Sequence, residues 1–147
     1  MPDTSFSIAS LAAMVGWTIL IFAPRRWPLL NGVPRWAIPL ALSVLYSGLV
    51  LANFSASGGG YGSIAEVRQL FASDQVLVAG WAHCLAFDLM IGAIMAERMD
   101  RAGVQRPWQA PVLCAILMFG PLGLLLAVLT EAGLRPVTRI IPQGAVT

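Results

Sequence analysis

Asp88 occupies a position where an ionisable side chain is costly. It lies in Gly80-Trp81-Ala82-His83-Cys84-Leu85-Ala86-Phe87-Asp88-Leu89-Met90-Ile91-Gly92, near the middle of an apolar segment long enough to cross a bilayer. A charged aspartate at that depth costs about 2.5–3.5 kcal/mol on insertion scales, so such a residue normally faces the bundle interior, has a partner and marks a pathway or reaction site. Burial favours the neutral form of a carboxyl group, and a positioned neutral acid can protonate a substrate oxygen. The plainer alternative is a protonated helix-packing contact. His83, the sole histidine, is a candidate base for the same chemistry, or else a hydrogen-bonded packing residue. At 3.6 residues per turn the two are about 140° apart around the helix. Trp81, Cys84 and Asp88 share a stripe instead, and a cavity touching both His83 and Asp88 must wrap around the helix.

Other polar groups lie on neighbouring segments. Ser43, Tyr46, Ser47, Val50 and Asn53 recur every three or four residues, a stripe that reads as interhelical bonding. Within it, Tyr46 and Asn53 are the candidates to satisfy Asp88 or His83. In Phe119-Gly120-Pro121-Leu122-Gly123 the proline cannot donate to the carbonyl of Leu117. Pro121 therefore marks either a packing kink or one wall of a ligand pocket. Glu97, Arg98, Asp100 and Arg101 read as a solvated cluster, with Glu97 and Arg101 at ion-pair spacing on a helix.

Several chemistries are disfavoured. The glycines between 58 and 62 lack the Gly-Lys-Ser/Thr ending of a phosphate-binding loop. One histidine, two separated cysteines and one central carboxylate are a poor metal-ligand set. No metal and no other cofactor is expected. Cys84 and Cys114 read as small buried hydrophobes at different depths, too far apart for a disulfide. The chain has no lysine, which rules out a retinal Schiff base.

The elements that must position these residues follow from composition. Of 147 residues 58% are hydrophobic and 11% charged, where a soluble domain has about a quarter charged. A net charge of +2 is too small for a nucleic-acid footprint. Apolar stretches at about 6–23, 37–54, 76–98 and 111–132 each approach the roughly 20 residues of a membrane helix. The expectation is all-α: a single integral membrane domain over 1–147, a four-helix transmembrane bundle with short loops. In the second loop, Ile64, Val67, Leu70 and Phe71 recur at helical spacing, suggesting a short interfacial helix.

Arginines set the expected orientation. Arg25, Arg26, Arg35, Arg98, Arg101 and Arg106 fall on one side of four crossings, and Arg68, Arg135 and Arg139 on the other. By the positive-inside rule both termini lie outside the cytoplasm. Trp27, Trp36 and Trp108 would flank the inner boundary.

The Gly-Trp-x-His-x-Leu-Ala-Phe-Asp-Leu-x-x-Gly pattern at 80–92, Phe-Gly-Pro-Leu-Gly at 119–123 and the succession of spans resemble the abscisic-acid-deficient-four-like family, which includes plant neoxanthin synthase. The resemblance covers nearly the whole chain. It departs at Ala93, where the family is expected to carry arginine. The start of the chain is unlike a transit peptide, which suits a bacterial inner membrane.

The resemblance implies an intramembrane enzyme acting on a carotenoid or other apolar, lipid-like substrate, resembling neoxanthin synthase. Its reaction would be an isomerisation: epoxide opening coupled to proton loss, without net redox change. Asp88 would be the acid and His83 the base, with Trp81, Phe87, Tyr46, Asn53 and Pro121 contacting substrate. Two alternatives stand beside it. A non-catalytic carotenoid-binding or assembly protein needs the groove but no acid–base pair, and a small proton-coupled transporter would use Asp88 as a relay and require a homo-oligomer. Membrane lipids are the other expected partners.

Overall fold

The computed structural model describes residues 2–134, all-helical with connecting turns and without strands among them. Arg135 and Arg139, used in the arginine count, lie outside these residues. Three helices are long and apolar enough to cross a membrane. The first, α1 (Pro2–Phe22), buries Ala9, Ala13, Gly16, Trp17 and Leu20, a single stripe at helical spacing.

The second, α2 (Pro28–Asn53), starts well before the expected residue 37. Pro28 occupies the first turn of the helix, where its missing N–H is harmless. Pro34 and Pro39 would clash with the carbonyls four residues back. The ladder widens into a π-turn over Val33–Ala37, with the Ile38 N–H donating to the Val33 carbonyl, and the helix continues through the prolines.

The short helix expected in the second loop is present as α3 (Ile64–Leu70). Ser63 accepts from the Glu66 N–H at 3.2 Å and the Glu66 carboxylate accepts from the Gly62 N–H at 3.0 Å, a near-reciprocal capping box. Next, α4 (Asp74–Arg101) has 28 residues, about 42 Å at 1.5 Å per residue. It is the central helix, packed against α1, α2 and the last two helices. Gly16 and Gly92 allow its close approach to α1: a Cβ on Gly16 would come within 2.5 Å of Leu89, and one on Gly92 within 2.5 Å of Trp17.

The expected fourth span is not one helix. It divides into α5 (Arg106–Phe119) and α6 (Pro121–Leu134) at Gly120, whose φ of 45° and ψ of −97° no helix accommodates. Pro121 therefore opens a new helix, where proline is favoured, instead of kinking an old one. The Gly120 N–H still donates to Ile116 O at 2.8 Å and Leu124 N–H to Gly120 O at 3.0 Å, closing both helices around the turn.

The two helices form a hairpin that reaches only partway along α4. At the base of α5, Arg106 donates to Ala23 O at 2.6 Å and Gln109 to Asp100 Oδ1 at 2.6 Å. At the turn, Gly120 abuts Asp88. On the return, Glu131 pairs with Arg98 at 2.8 Å. The ten residues from Asp88 to Arg98 and the eleven from Gly120 to Glu131 rise about 15 and 16.5 Å, so α6 runs alongside α4. Gly123 lets the arms meet, since a Cβ there would run into the backbone of Ile116.

Four full crossings would have put both chain ends on one side. Instead Pro2 lies at the Asp74 end, where Phe6 stacks on Trp81, and α6 ends beside Arg98. The first and last described residues are at opposite ends. The main core, including Trp17, Leu20, Leu89, Met99, Leu113, Ile116 and Ala127, occupies the arginine-rich half that the hairpin covers. Toward the Asp74 end a second, smaller cluster holds Ala9, Ala13, Leu42 and Ala86, and Leu70, Val76, Ala79 and Ala82 are buried as well.

Candidate functional site

Because the hairpin stops at Asp88, it leaves the α4 stripe beyond it uncovered. Trp81 and Cys84 are exposed there and Asp88 is half-buried at the hairpin tip. A Cβ on Gly120 would lie 2.9 Å from Asp88 Oδ1. The glycine is thus what lets the carboxyl group occupy the turn between α5 and α6.

The uncovered stripe forms one wall of an open groove of about 630 Å³ lined chiefly by Phe6, Phe71, Leu77, Val78, Trp81 and Cys84. Trp81 is fixed on two sides. Its indole donates to Ser10 Oγ at 3.0 Å and its ring stacks on Phe6 with centroids 5.5 Å apart. Phe71, just past α3, leans over Gly80, where a Cβ would sit 2.7 Å from its ring. Cys84 is one helical turn from Asp88 on the same stripe, so the groove points toward the carboxyl group.

His83 lies on a neighbouring face. Its ring is 5.4 Å from that of Tyr46 and 4.6 Å from that of Phe87. With Tyr46, Phe54, Tyr61 and Phe71 it lines a smaller cavity of about 260 Å³. Phe71 and Gly80 border both spaces. His83 and Asp88 share no hydrogen bond, in keeping with their angular separation around the helix. Among the described residues no group of three His, Cys, Asp or Glu side chains converges as a metal site.

The other expected site residues divide. Tyr46 does reach His83, through its ring. Asn53 reaches neither His83 nor Asp88: its amide donates to Leu49 O at 2.8 Å on its own helix. Ser43 and Ser47 likewise donate to Pro39 O and Ser43 O, so the polar stripe of α2 is bonded along the helix and not between helices. Phe87 is exposed beside His83, and Pro121 is exposed next to Gly120. Cys84 and Cys114 are exposed, not buried. The Glu97–Arg101 pair forms at 2.6 Å, but its cluster is more than a solvated patch: Glu97 also pairs with Arg35, and Asp100 with Arg25 at 2.9 Å.

Sequence reasoning missed the parts of Phe6, Phe71 and Gly120. Only the Gly120–Pro121 dipeptide carried a local signal, since such pairs punctuate helices.

Fold and site together define an all-helical protein of membrane character: three crossing-length helices, and a helical hairpin that meets a carboxyl group halfway along the central one. The chain belongs to the ABA DEFICIENT 4-like family, whose model matches residues 4–126. That match takes in the groove, His83, Asp88 and the hairpin turn. No curated protein and no solved structure matches the chain.

Proposed function

We propose that this protein is an integral membrane enzyme that isomerises a carotenoid or related polyene lipid by acid–base chemistry, with Asp88 as the general acid. The observation that carries this reading is the apolar groove whose lining stripe, Trp81 and Cys84, continues to Asp88. Asp3 and Asp74 also line the groove, at the starts of their helices. An extended apolar molecule following the stripe away from them would meet Asp88 at the hairpin tip. The polyene class itself comes from the family resemblance.

The proposed step balances without a cofactor. Asp88 gives its proton to an epoxide oxygen, the C–O bond breaks, and a proton leaves the adjoining polyene carbon to a base. His83 is proposed as that base. The support is the common border of its cavity with the groove at Phe71 and Gly80, which would let one substrate reach both. Trp81, Phe87 and Tyr46 would hold the chain on either side of that border.

For orientation, Arg25, Arg26, Arg35, Arg98, Arg101 and Arg106 cluster at one end of the described fold, with Arg68 at the other. By the positive-inside rule the arginine-rich end faces the cytoplasm, in a bacterial inner membrane. The start of α1 then lies outside and the end of α6 inside.

The test is pigment profiling in a carotenoid-producing bacterial host that expresses the chain or its Asp88→Asn variant. A new isomer of unchanged mass that disappears with Asp88→Asn is the expected result. An unaltered product with Asp88→Asn would remove the acid from Asp88. The absence of a hydrogen bond between Asp88 and His83 favours one second reading, a pigment carrier. Unmodified pigment copurifying with both proteins would establish that instead.

A further inference from the structure

Hydroxyl groups on the long helices mostly turn inward along their own helix. Thr18, Ser43 and Ser47 donate to carbonyls four residues back, Met14 O, Pro39 O and Ser43 O, each at 2.8 Å. Such bonds satisfy a hydroxyl in an apolar helix without engaging a neighbour. Ser10 behaves differently. Its Oγ accepts from the Trp81 indole at 3.0 Å, joining α1 to α4.

Trp17 shows that an indole in this fold does not need such a bond to be held. It is buried in the core with its ring against Gly92, and its N–H has no hydrogen-bond partner. Packing alone fixes it. Trp81 is 43% exposed, so packing leaves other staggered rotamers open to it. What holds Trp81 comes from α1: the Ser10 bond, and the stack on Phe6 with 28° between the ring planes. Phe6 and Ser10 are four residues apart, on one face of that helix. Phe6 is itself exposed, so the stack can slide. The hydrogen bond is directional and sets how the indole is turned.

Trp81 lines the groove, whereas Ser10 lies behind the ring, partly buried and off the lining. The bonded indole therefore turns its donor away from the groove and offers it a carbon surface. A released N–H facing an apolar ligand would be a costly unpaired donor. Trp81 is seven residues from Asp88, about 10.5 Å along α4. Its ring thus sets the path of a chain whose reacting end is at Asp88, without touching the reacting atoms.

We propose, resting on the reading of the groove as a polyene site, that Ser10 is a positioning residue: by holding the Trp81 indole N–H it makes the ring an apolar platform for the polyene chain. Its effect falls on binding and not on the proton transfers.

The test uses the full chain in detergent, retinol as the polyene probe, and Ser10→Thr and Ser10→Val as a matched pair. Both replacements are β-branched and alike in size, so they burden α1 equally, but only threonine can accept the indole bond. Retinol affinity is read from energy transfer from tryptophan. The Trp81 indole N–H is followed by its proton–nitrogen resonance, assigned with Trp81→Phe, and unfolding temperature shows that each variant is folded.

Ser10→Val should weaken retinol binding about tenfold, the size of one net hydrogen bond, and shift the Trp81 indole resonance. Ser10→Thr should keep both near the parent. Parental affinity in a folded Ser10→Val protein would overturn the proposal and leave the bond a mere tie between α1 and α4. Equal losses in the two variants, or retinol that does not bind the parent, would overturn it as well. Retinol has no epoxide, so its binding is measured without turnover. A missing isomer in the pigment test would refute the acid–base reading of Asp88 while leaving a Ser10-dependent affinity in place, and loss of that dependence would leave Asp88 untouched.

Discussion

Replacing Gly120 by alanine tests the hairpin and its relation to Asp88 in one experiment. Two penalties add at this position. The backbone has φ of 45° with ψ of −97°, and holding a residue with a side chain in so sparsely populated a region costs about 1–3 kcal/mol. The new methyl would also lie 2.9 Å from Asp88 Oδ1, closer than carbon and oxygen normally approach. Relieving that overlap turns the carboxyl away, at about 0.5–1.5 kcal/mol for an off-rotamer side chain. The sum is about 1.5–4.5 kcal/mol. Gly103→Ala supplies a reference for a positive-φ glycine without the steric part, because Gly103 has φ of 76° and nothing within reach of a Cβ. Denaturant unfolding followed by circular dichroism, in one detergent, gives each free energy. Shortening the neighbour isolates the second part: in an Asp88→Ala background, Gly120→Ala should cost about 0.5–1.5 kcal/mol less than in the parent. If Gly120→Ala unfolds like the parent, or its effect is the same with and without Asp88, the packing of the carboxyl into the hairpin turn is wrong.

Three further experiments probe the same architecture. In a Cys84→Ala, Cys114→Ala background, Asp3→Cys should react in sealed cells with a membrane-impermeant maleimide, and Gly133→Cys only after lysis; labelling of both from outside would restore four crossings. Gly133 has open space at its Cβ position, so the probe itself does not disturb the fold. Gly92→Ala should destabilise by about 1–3 kcal/mol through overpacking, because its methyl meets Trp17 at 2.5 Å; an unchanged unfolding midpoint would mean that α1 and α4 are not so close. Glu131→Gln should destabilise by about 1–2 kcal/mol and speed hydrogen exchange along α6. That is below the 3–5 kcal/mol of a fully buried pair, because the Arg98 side chain is 43% exposed; exchange unchanged in α6 would show that the pair does not hold the hairpin.

The three long helices were legible because each is a continuous apolar run, and α3 because Ile64, Val67, Leu70 and Phe71 recur at helical spacing. The hairpin was not, for a physical reason. Residues 111–132 are as apolar as a crossing helix, and hydropathy measures transfer into a membrane without regard to whether the chain turns back inside it. Backbone at a turn can be tolerated at that depth where protein buries it. Here the Gly120 and Leu124 N–H groups are bonded within the turn itself, and α4 covers it. Nothing in composition records that closure, and the pair Gly120–Pro121 is equally consistent with a kink.

The same turn explains which part of the candidate site could be read. The angle between His83 and Asp88 follows from helix geometry alone, so their placement on different faces was legible. What lies against each face was not. A full-length fourth helix would have covered Cys84 and Trp81 and left Asp88 one polar group within a closed seam. A hairpin ending at Gly120 instead covers the arginine-rich half of α4 and bares the other half, so the groove begins where the protein cover stops. Asp88 sits at that boundary, and the stripe shared with Trp81 and Cys84 becomes a surface that an apolar molecule can follow from the side. The length of α5, ended by a glycine that only its own backbone freedom permits, thus decides whether the carboxyl group is sealed or approachable.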